Sequence, residues 1–450
     1  MTGTGLDSAP AVGEVKAWRT SKDEEFKLVE APVWESGTGA GAMSIHLDPA
    51  KQYQEVLGFG AALTDASCYL LQQLDAEKRR AILQDCFGRN GLRLSVARTT
   101  IGSSDYSLNA YSYDDTPEAD PQLTHFSLDH DVKYILPVLR ETRQLNPDVF
   151  YLSSPWSPPG WMKSSHSLLG GSMRKQYLPV YAEYIRRFLE GYAKAGVNID
   201  AISVQNEVDT DQDGRMPQAL WGQEYEMEFV KAHLGPALEK AGMKTKIWIL
   251  DHNYNLWGRV VDELSDPDVY KYVDGVAWHG YVGGPESMTR VHDMFPERSA
   301  YWTEVGPDYT DPAYATDWSK WSSTFTGILR NWARAIVSWN VVLDEKGRPD
   351  IGPFSCGGVV TLDSKTHAVT KSGQYKAFAQ YSRAIERGAR LFASRGEFSG
   401  IDHVAAENPD GSKVLVLTNQ NSGEQRVEVL LAENSMKVML PPDSVTTVVW

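Results

Sequence analysis

The amino-acid sequence predicts an α/β protein made of a (β/α)₈ TIM barrel and an accessory β-sandwich. Between about residue 55 and residue 345, short apolar runs rich in β-forming residues alternate with longer segments of helical period. After about residue 388, short alternating strands separated by turn residues replace this pattern. The 450 residues suffice for a barrel of roughly 250 residues and a second, smaller domain.

Eight apolar runs are the predicted barrel strands, and eight is the number that closes this type of barrel. They span residues 55–59, 92–98, 149–154, 201–205, 246–250, 275–278, 300–303 and 335–339. Between Tyr177 and Tyr192, apolar and aromatic residues recur at the spacing of one buried helix face. Segments 66–87 and 320–337 show a similar period, so helices are predicted there too.

Strand-like pieces at both ends of the chain are predicted to form one discontinuous β-sandwich. The C-terminal pieces span residues 402–406, 413–418, 425–430 and 445–450. The N-terminal pieces, 26–29 and 42–47, are too short to fold alone and are expected to join them. The predicted domains are therefore N-terminal strands in residues 1–54, the catalytic barrel in 55–387 and the C-terminal sandwich in 388–450.

Composition and charge narrow the possible partners. The formal net charge of −15 and the absence of a basic block argue against nucleic acid. No run of about 18 apolar residues is present, so no integral membrane segment is expected. The start of the chain lacks the features of a signal peptide, which predicts a cytoplasmic protein or one whose leader has been removed. The oligomeric state and the compartment are left open.

In this fold, active sites lie at the C-terminal ends of the barrel strands. The residues that end the predicted strands are polar or aromatic, and many could bind a sugar: Arg98, Asp105, Trp156, Asn206, Glu207, Asp251, His252, His279, Tyr281, Glu304 and Trp339. Any one of them could be structural. Because so many occur at corresponding positions, we expect them to converge on one site.

Glu207 and Glu304 stand out because each ends an apolar run. The 97 residues between them divide into three βα units, so the pair should close the fourth and seventh strands. Retaining glycoside hydrolysis uses two carboxyl groups about 5–5.5 Å apart, of which the proton-donating member is expected to have a raised pKa. The alternative is that each glutamate only pairs with an arginine.

Other chemistries have weaker support in the sequence. The Gly-x-Ser-x-Gly motif of α/β-hydrolases is absent, and so are the His-x-x-His and His-Glu-x-x-His metal motifs. The three cysteines are too few and too scattered for a disulfide framework or a cysteine-based metal site. Gly58-Phe59-Gly60 is not a complete dinucleotide fingerprint. We therefore predict neither a metal ion nor a cofactor.

Several longer motifs resemble glycoside hydrolase family 30, especially its glucosylceramidase-like β-glucosidase branch. The similarity runs from about residue 52 to the end of the chain. The motifs occupy residues 58–66, Arg98 with 104–107, 111–115, 154–163, 205–207, 277–281, 302–304 and 338–340. The segment 349–358 is more similar to bacterial members than to the lysosomal enzymes.

The resemblance implies a role for each matching residue. It implies Glu207 as acid/base and Glu304 as nucleophile. It further implies that Asp105, Trp156 and Trp339 bind the glycone, that Asn206 contacts the 2-hydroxyl, that Arg98 and Tyr281 orient the nucleophile, and that His279 lines the same wall. Many members have proline after the acid/base, whereas Val208 stands here and an acid-rich loop, 209–220, follows.

The leading functional hypothesis is a retaining hydrolase that removes terminal β-linked glucose by double displacement. A β-1,6-glucanase, a β-xylosidase and a true glucosylceramidase are alternatives with the same chemistry. A carbohydrate-binding protein on an inactive barrel is the non-enzymatic alternative. Under the leading hypothesis, the substrate is a β-glucoside, either an oligosaccharide or a glycolipid. The sequence leaves open whether the enzyme acts in exo or endo mode.

Overall fold

The computed structural model describes residues 14–37, 41 and 43–450. Four strands precede the barrel: β1 (Lys16–Ser21), β2 (Glu24–Val29), β3 (Trp34–Ser36) and β4 (Ser44–Glu55). The predicted piece 26–29 lies within β2, and most of 42–47 lies within β4. Ala42, together with the N-terminal residues used to judge a leader, lies outside the described residues.

Eight parallel strands form a closed barrel, as predicted. They are β5 (Gly58–Ala62), β6 (Val96–Ile101), β7 (Phe150–Pro155), β8 (Ala201–Ser203), β9 (Lys246–Asn253), β10 (Val273–His279), β11 (Ser299–Glu304) and β12 (Ala333–Ser338). The barrel closes where β12 pairs with β5, Ala335 opposite Gly58. Every predicted run overlaps one strand, although Glu55 ends β4 and not the first barrel strand.

Stacked aromatic rings fill the lower end of the barrel. Trp248 and Tyr301 stack with ring centroids 3.8 Å apart. Ala201 and Ala277 belong to the same buried cluster and leave room for these rings because their side chains are small. Asp274 accepts a hydrogen bond from each ring, from the indole N–H at 3.1 Å and from the phenol at 3.1 Å. This end of the barrel is therefore filled by packed rings, and the predicted site residues lie at the opposite end, where the strands end.

Helices surround the barrel. They are α1 (Asp65–Gln73), α2 (Ala76–Phe87), α3 (Asp129–Lys133), α4 (Ile135–Leu145), α5 (Leu178–Lys194), α6 (Gln223–Glu228), α7 (Gly235–Lys240), α8 (Trp257–Ser265), α9 (Pro267–Tyr270), α10 (Glu286–Met294), α11 (Trp318–Arg330) and α12 (Gly373–Ser382). A π-helical segment, Phe229–Leu234, joins α6 to α7. No helix in the described part of the chain is long and apolar enough to cross a bilayer.

Two helix predictions need correction. Segment 66–87 forms two helices because Leu74 is extended and the side chain of Asp75 caps α2 by accepting from the backbone N–H of Lys78. Segment 320–337 is helical only as far as Arg330, after which strand β12 begins at Ala333. Tyr177 lies in the turn before α5, and the rest of the predicted face, as far as Tyr192, lies in α5, where eight side chains are buried.

The accessory domain combines both ends of the chain. A small sheet, β13 (Val342–Asp344), β14 (Val360–Leu362) and β15 (Val369–Lys371), precedes α12 and was not predicted. The remaining strands are β16 (Arg390–Arg395), β17 (Ile401–Glu407), β18 (Lys413–Asn419), β19 (Gln425–Leu431), β20 (Asn434–Leu440) and β21 (Ser444–Val449). Strand β1 pairs with β21, β3 with β20, and β4 with both β16 and β19. The sandwich is therefore discontinuous, as predicted, whereas the boundaries at 54/55 and 387/388 stay a prediction.

Candidate active site

The two predicted glutamates both lie at the C-terminal mouth of the barrel. Glu304 is the final residue of β11. Glu207 lies in the loop after β8, which ends at Ser203, so it follows the strand instead of ending it. Its backbone N–H donates to the carbonyl of Asp251 at 2.9 Å, which keeps this loop beside β9. Glu207 is only 9% exposed and Glu304 only 5%.

Hydrogen bonds hold the backbone of Glu207 in a left-handed conformation. Its φ angle is 51°, a region that non-glycine residues seldom adopt. The side-chain amide of Gln218 donates to the carbonyls of Asn206 and Glu207 at 2.6 and 2.9 Å. The buried ammonium of Lys163 in turn donates to the carbonyl of Gln218 at 2.7 Å. Lys163, in the loop after β7, thus holds Gln218, which in turn holds the backbone and orientation of Glu207.

Arg98, in β6, is a completely buried cation that links the two walls of the site. Its Nη1 donates to Oε2 of Glu304 at 2.5 Å. Its Nη2 donates to Oδ2 of Asp251 and to Oδ1 of Asn206, both at 2.8 Å. Because a guanidinium presents its donors in a rigid plane, these bonds fix the relative positions of three side chains.

Asp251 lies at the base of the site. The sequence placed it after the predicted strand 246–250 but gave no indication of its contacts. Its carboxylate accepts hydrogen bonds from Arg98, Ser154, Ser203, His279 and Thr303. Burial alone would raise its pKa, but the charge of Arg98 and the bonds from His279 and Ser203 hold the pKa well below its usual range. Asp251 is therefore a fixed negative charge beneath the pocket.

His279 connects the two glutamates. Its Nδ1 lies 3.4 Å from Oε1 of Glu207, whereas its Nε2 lies 3.0 Å from Oδ1 of Asp251 and 3.8 Å from Oε2 of Glu304. Burial would lower the pKa of the imidazole, but the charge of Glu304 and the bonds to Asp251 and Glu207 raise it to about 9. His279 is therefore a cation at neutral pH.

The pKa of Glu207 differs from the expectation for a proton donor. Burial raises it, but the hydrogen bond from His279, the charges of His252 and His279 and a bond from Gln212 together lower the pKa below its ordinary value. The raised pKa expected from the sequence is wrong for the ligand-free protein. The reason is that the neighbouring imidazolium stabilises the carboxylate form.

A cavity of about 500 Å³ opens at the mouth of the barrel, a volume typical of small-molecule sites. Seven of the nine residues to which the resemblance assigns a role line it: Asp105, Trp156, Asn206, Glu207, Tyr281, Glu304 and Trp339. The other two, Arg98 and His279, lie behind this lining and contact the glutamates. The phenol of Tyr281 donates to Oε1 of Glu304 at 3.0 Å. The structure thus brings all nine residues together.

Tryptophan rings and a buried carboxyl form one wall of the cavity. Trp156 and Trp339 stack with centroids 5.0 Å apart, and Arg98 lies 4.9 Å from the centroid of Trp156. Asp105 is 5% exposed, and its backbone carbonyl accepts from Ile351 and Gly352 of the segment 349–358. Burial, together with the charges of Glu304 and Glu207, raises the pKa of Asp105 well above its usual range.

Two further side chains contact Glu207, and of these the sequence pointed only to His252, as a strand-end residue without an assigned role. Gln212, in the acid-rich loop, donates to Oε2 of Glu207 at 2.9 Å. His252 lies 3.7 Å from Oε1 of Glu207 and 2.6 Å from Oδ1 of Asp209. Glu207, His252 and His279 hold ligand atoms within 4.8 Å of one another, so they are also the residues of the site that could bind a metal ion.

Replacing His279 with asparagine is expected to change how stability depends on pH. A raised folded-state pKa contributes stability that is complete below the unfolded pKa of about 6.5 and is lost as pH rises through about 9. Between pH 6 and pH 9.5 the wild type should lose on the order of 3 kcal/mol more free energy of unfolding than the variant. Urea titrations of both proteins at the two pH values measure this, and equal losses would contradict a protonated His279.

The comparisons with known proteins bear directly on this arrangement. The model of the glycosyl hydrolase family 30 TIM-barrel domain matches residues 56–385, and that of the family 30 β-sandwich domain matches residues 388–448. The chain belongs to glycosyl hydrolase family 30. This confirms the resemblance to family 30 that was drawn from the motifs.

Relatives of this family 30 member carry two kinds of activity in their names. An endo-1,6-β-D-glucanase of Neurospora crassa is 33% identical over 92% of this chain and 90% of that protein. The lysosomal acid glucosylceramidase of Mus musculus is 28% identical over 98% of this chain and 90% of that protein. Among solved structures, the endo-β1,6-glucanase BT3312 has a TM-score of 0.88 and 28% identity, covering 97% of this chain and 100% of that one.

Proposed function

We propose that this family 30 hydrolase cleaves terminal β-linked glucose with retention of configuration. Glu304 is the nucleophile and Glu207 the general acid/base in this proposal. The observation that carries it is the placement of two buried glutamates on one cavity, each in contact with a different nitrogen of His279. Two carboxyl groups that flank one cavity are the equipment of double displacement.

In the first step, a carboxylate oxygen of Glu304 attacks the anomeric carbon and forms an ester. The bond from that carbon to the leaving oxygen breaks, and the leaving oxygen takes a proton from Glu207. Arg98 and Tyr281 donate to different oxygens of Glu304, so they hold it in position for attack. Stacking of Trp156 and Trp339 beside the cavity supplies the apolar surface on which a pyranose face can lie.

In the second step, the carboxylate of Glu207 takes a proton from water as the water oxygen attacks the anomeric carbon. The ester bond to Glu304 then breaks and releases glucose. The proton taken from water leaves Glu207 as the acid for the next cycle. Nδ1 of His279, 3.4 Å from Oε1 of Glu207, can hold that proton while the site is empty and return it when substrate binds.

The first test is the stereochemistry of hydrolysis. An aryl β-glucoside is incubated with the protein, and the first sugar released is followed by NMR before mutarotation. We expect β-glucose, and α-glucose formed first would contradict retention. A parallel assay with an aryl β-xyloside tests the β-xylosidase alternative. A second assay, with glucosylceramide, tests the glucosylceramidase alternative. Binding of these compounds without turnover would favour a carbohydrate-binding protein instead.

A β-1,6-glucan chain is the second candidate substrate. The outer lip of the cavity carries polar side chains, among them Gln212, Asp308 and Ser355, and the half-exposed ring of Phe354. Such a lip offers hydrogen bonds and one apolar face to a second sugar, and relatives of both sequence and structure are named as endo-1,6-β-glucanases. Digestion of β-1,6-glucan distinguishes the modes of attack, because exo cleavage releases glucose alone whereas endo cleavage yields a series of oligomers.

Phe354→Ala tests whether the lip contacts that second sugar. We expect kcat/KM for β-1,6-glucan to fall about tenfold, which corresponds to about 1.4 kcal/mol of lost apolar contact. The rate with an aryl β-glucoside should change less than about threefold, because the glycone wall is untouched. Val282→Ala is the matched control, since Val282 is exposed but does not line the cavity. Equal losses on both substrates would argue against a second-sugar site at Phe354.

A further inference from the structure

The loop between β6 and α3 contains a cluster of metal-binding side chains outside the active site. Asp114, Asp120 and His125 each present one ligand atom, and these atoms all lie within 4.8 Å of one another. The three residues do not line the cavity described above. Glycoside hydrolysis as proposed here assigns them no role, so the cluster needs its own explanation.

Asp114 is the observation that points to a ligand. The residue is 1% exposed, and neither of its carboxylate oxygens has a hydrogen-bond partner among the described residues. Burial of a carboxylate without donors is expensive, so buried carboxylates are normally paired, hydrogen-bonded or bound to a metal. The backbone of Asp114 is firmly held, since its carbonyl accepts from the indole N–H of Trp161 at 3.1 Å. The unpartnered carboxylate therefore lies in a defined position.

Asp120 and His125 complete the cluster in a way that leaves ligand atoms available. The hydroxyl of Thr124 and the backbone N–H of His125 donate to Oδ2 of Asp120, and Nδ1 of His125 lies 2.9 Å from the same oxygen. These three contacts end on Oδ2, so Oδ1 is the oxygen that would bind an ion. The side chain of His125 is 69% exposed, so an ion can reach the cluster from solvent.

The donors of a neighbouring arginine are already committed elsewhere. Arg187 affects Asp114 through its charge, but its donors go to Glu183 and to the carbonyls of Leu123 and Gln122. Among the residues that the structure describes, the two carboxylates therefore have no bonded cation other than His125. A divalent ion would supply the missing positive charge and bind all three side chains at once.

We propose that Asp114, Asp120 and His125 bind a divalent first-row transition-metal ion such as Zn²⁺ or Mn²⁺. An imidazole together with carboxylates suits these ions, whereas Ca²⁺ and Mg²⁺ prefer oxygen ligands alone. The ion ties together the two ends of the segment from Asp114 to His125. Through the bond from Trp161 to Asp114, it also stabilises the loop after β7 that carries Trp156.

The test is binding of Zn²⁺ and Mn²⁺ to the full chain after dialysis against a chelator. A Glu207→Gln background removes a carboxylate from the second possible cluster, Glu207–His252–His279, so that ions bound there are not counted. We expect one ion per chain by calorimetry and a rise in Tm of about 2–5 °C at saturating metal. Both effects should disappear in Asp114→Asn.

Two further variants keep the test independent of folding. His125→Ala alters an exposed side chain and should weaken binding at least tenfold without lowering the Tm of the metal-free protein. Glu118→Gln removes an exposed carboxylate of the same loop that is not in the cluster, and it should bind metal as the parent does. Unchanged binding in both Asp114→Asn and His125→Ala, or no binding at micromolar metal in the parent, would overturn the proposal.

Discussion

Glu304→Ala is expected to lower kcat for an aryl β-glucoside by on the order of 10⁴-fold or more, because no ester can form without its carboxylate. Tyr281→Phe removes only one hydrogen bond to the same carboxylate and should reduce kcat about 10–100-fold. Steady-state assays on both variants, with circular dichroism to establish folding, measure this order of effects. A Glu304→Ala enzyme within tenfold of the wild type would contradict its role as nucleophile.

Azide separates the roles of the two glutamates. With Glu304→Ala, azide can take the place of the carboxylate and attack the anomeric carbon directly, so an α-glucosyl azide is expected. With Glu207→Ala and an activated substrate, Glu304 still forms the ester and azide then displaces it, so a β-glucosyl azide is expected. If Glu304→Ala gave the β-azide and Glu207→Ala the α-azide, Glu207 would be the nucleophile and Glu304 the acid/base.

Arg98→Met is expected to cause the largest loss of stability in the site, about 3–5 kcal/mol in the free energy of unfolding. The variant removes one of the two cations that contact the buried carboxylates of Asp251 and Glu304, and a buried charge that loses its partner is strongly destabilising. Arg98→Lys should restore little, because an ammonium cannot reproduce the planar donors that reach three side chains. Urea denaturation at pH 7 measures both variants.

A double variant makes the cause of that loss specific. Adding Asp251→Asn to Arg98→Met removes one of the two carboxylates that have lost Arg98, so the double variant should be more stable than the sum of the single effects predicts. Activity should stay low, because Glu304 is no longer oriented. A loss below about 1 kcal/mol for Arg98→Met, or strict additivity in the double variant, would show that these charges are not stabilised as described.

The barrel could be predicted from sequence because eight short runs rich in β-forming residues alternate with segments of helical period. The sandwich was harder. Strand β20 was missed because its turn from β19, at Ala432 and Glu433, lacks the glycine or asparagine that usually marks a hairpin, even though Ala432 has φ of 51°. Strand β16 is short and follows α12 without a clear change of pattern.

The site was predictable where a residue faces the cavity from a strand end, as Glu304, Trp156 and Trp339 do. The supporting network was not. Asp251 receives its donors from five other strands, so its importance depends on the closed barrel and not on its own neighbours in sequence. The lowered pKa of Glu207 likewise arises from His279, which lies 72 residues away in the chain.

The most direct measurement of the central claim is covalent labelling by a mechanism-based 2-fluoro-β-glucoside, followed by tryptic mapping. Glu304 lies in the tryptic peptide 299–320, and Glu207 lies in the peptide 195–215. We predict one label per chain, on Glu304 in peptide 299–320, and slow recovery of activity as water hydrolyses the ester. A label on peptide 195–215, or complete turnover of substrate by a protein whose Glu304 cannot be labelled, would contradict the proposed mechanism.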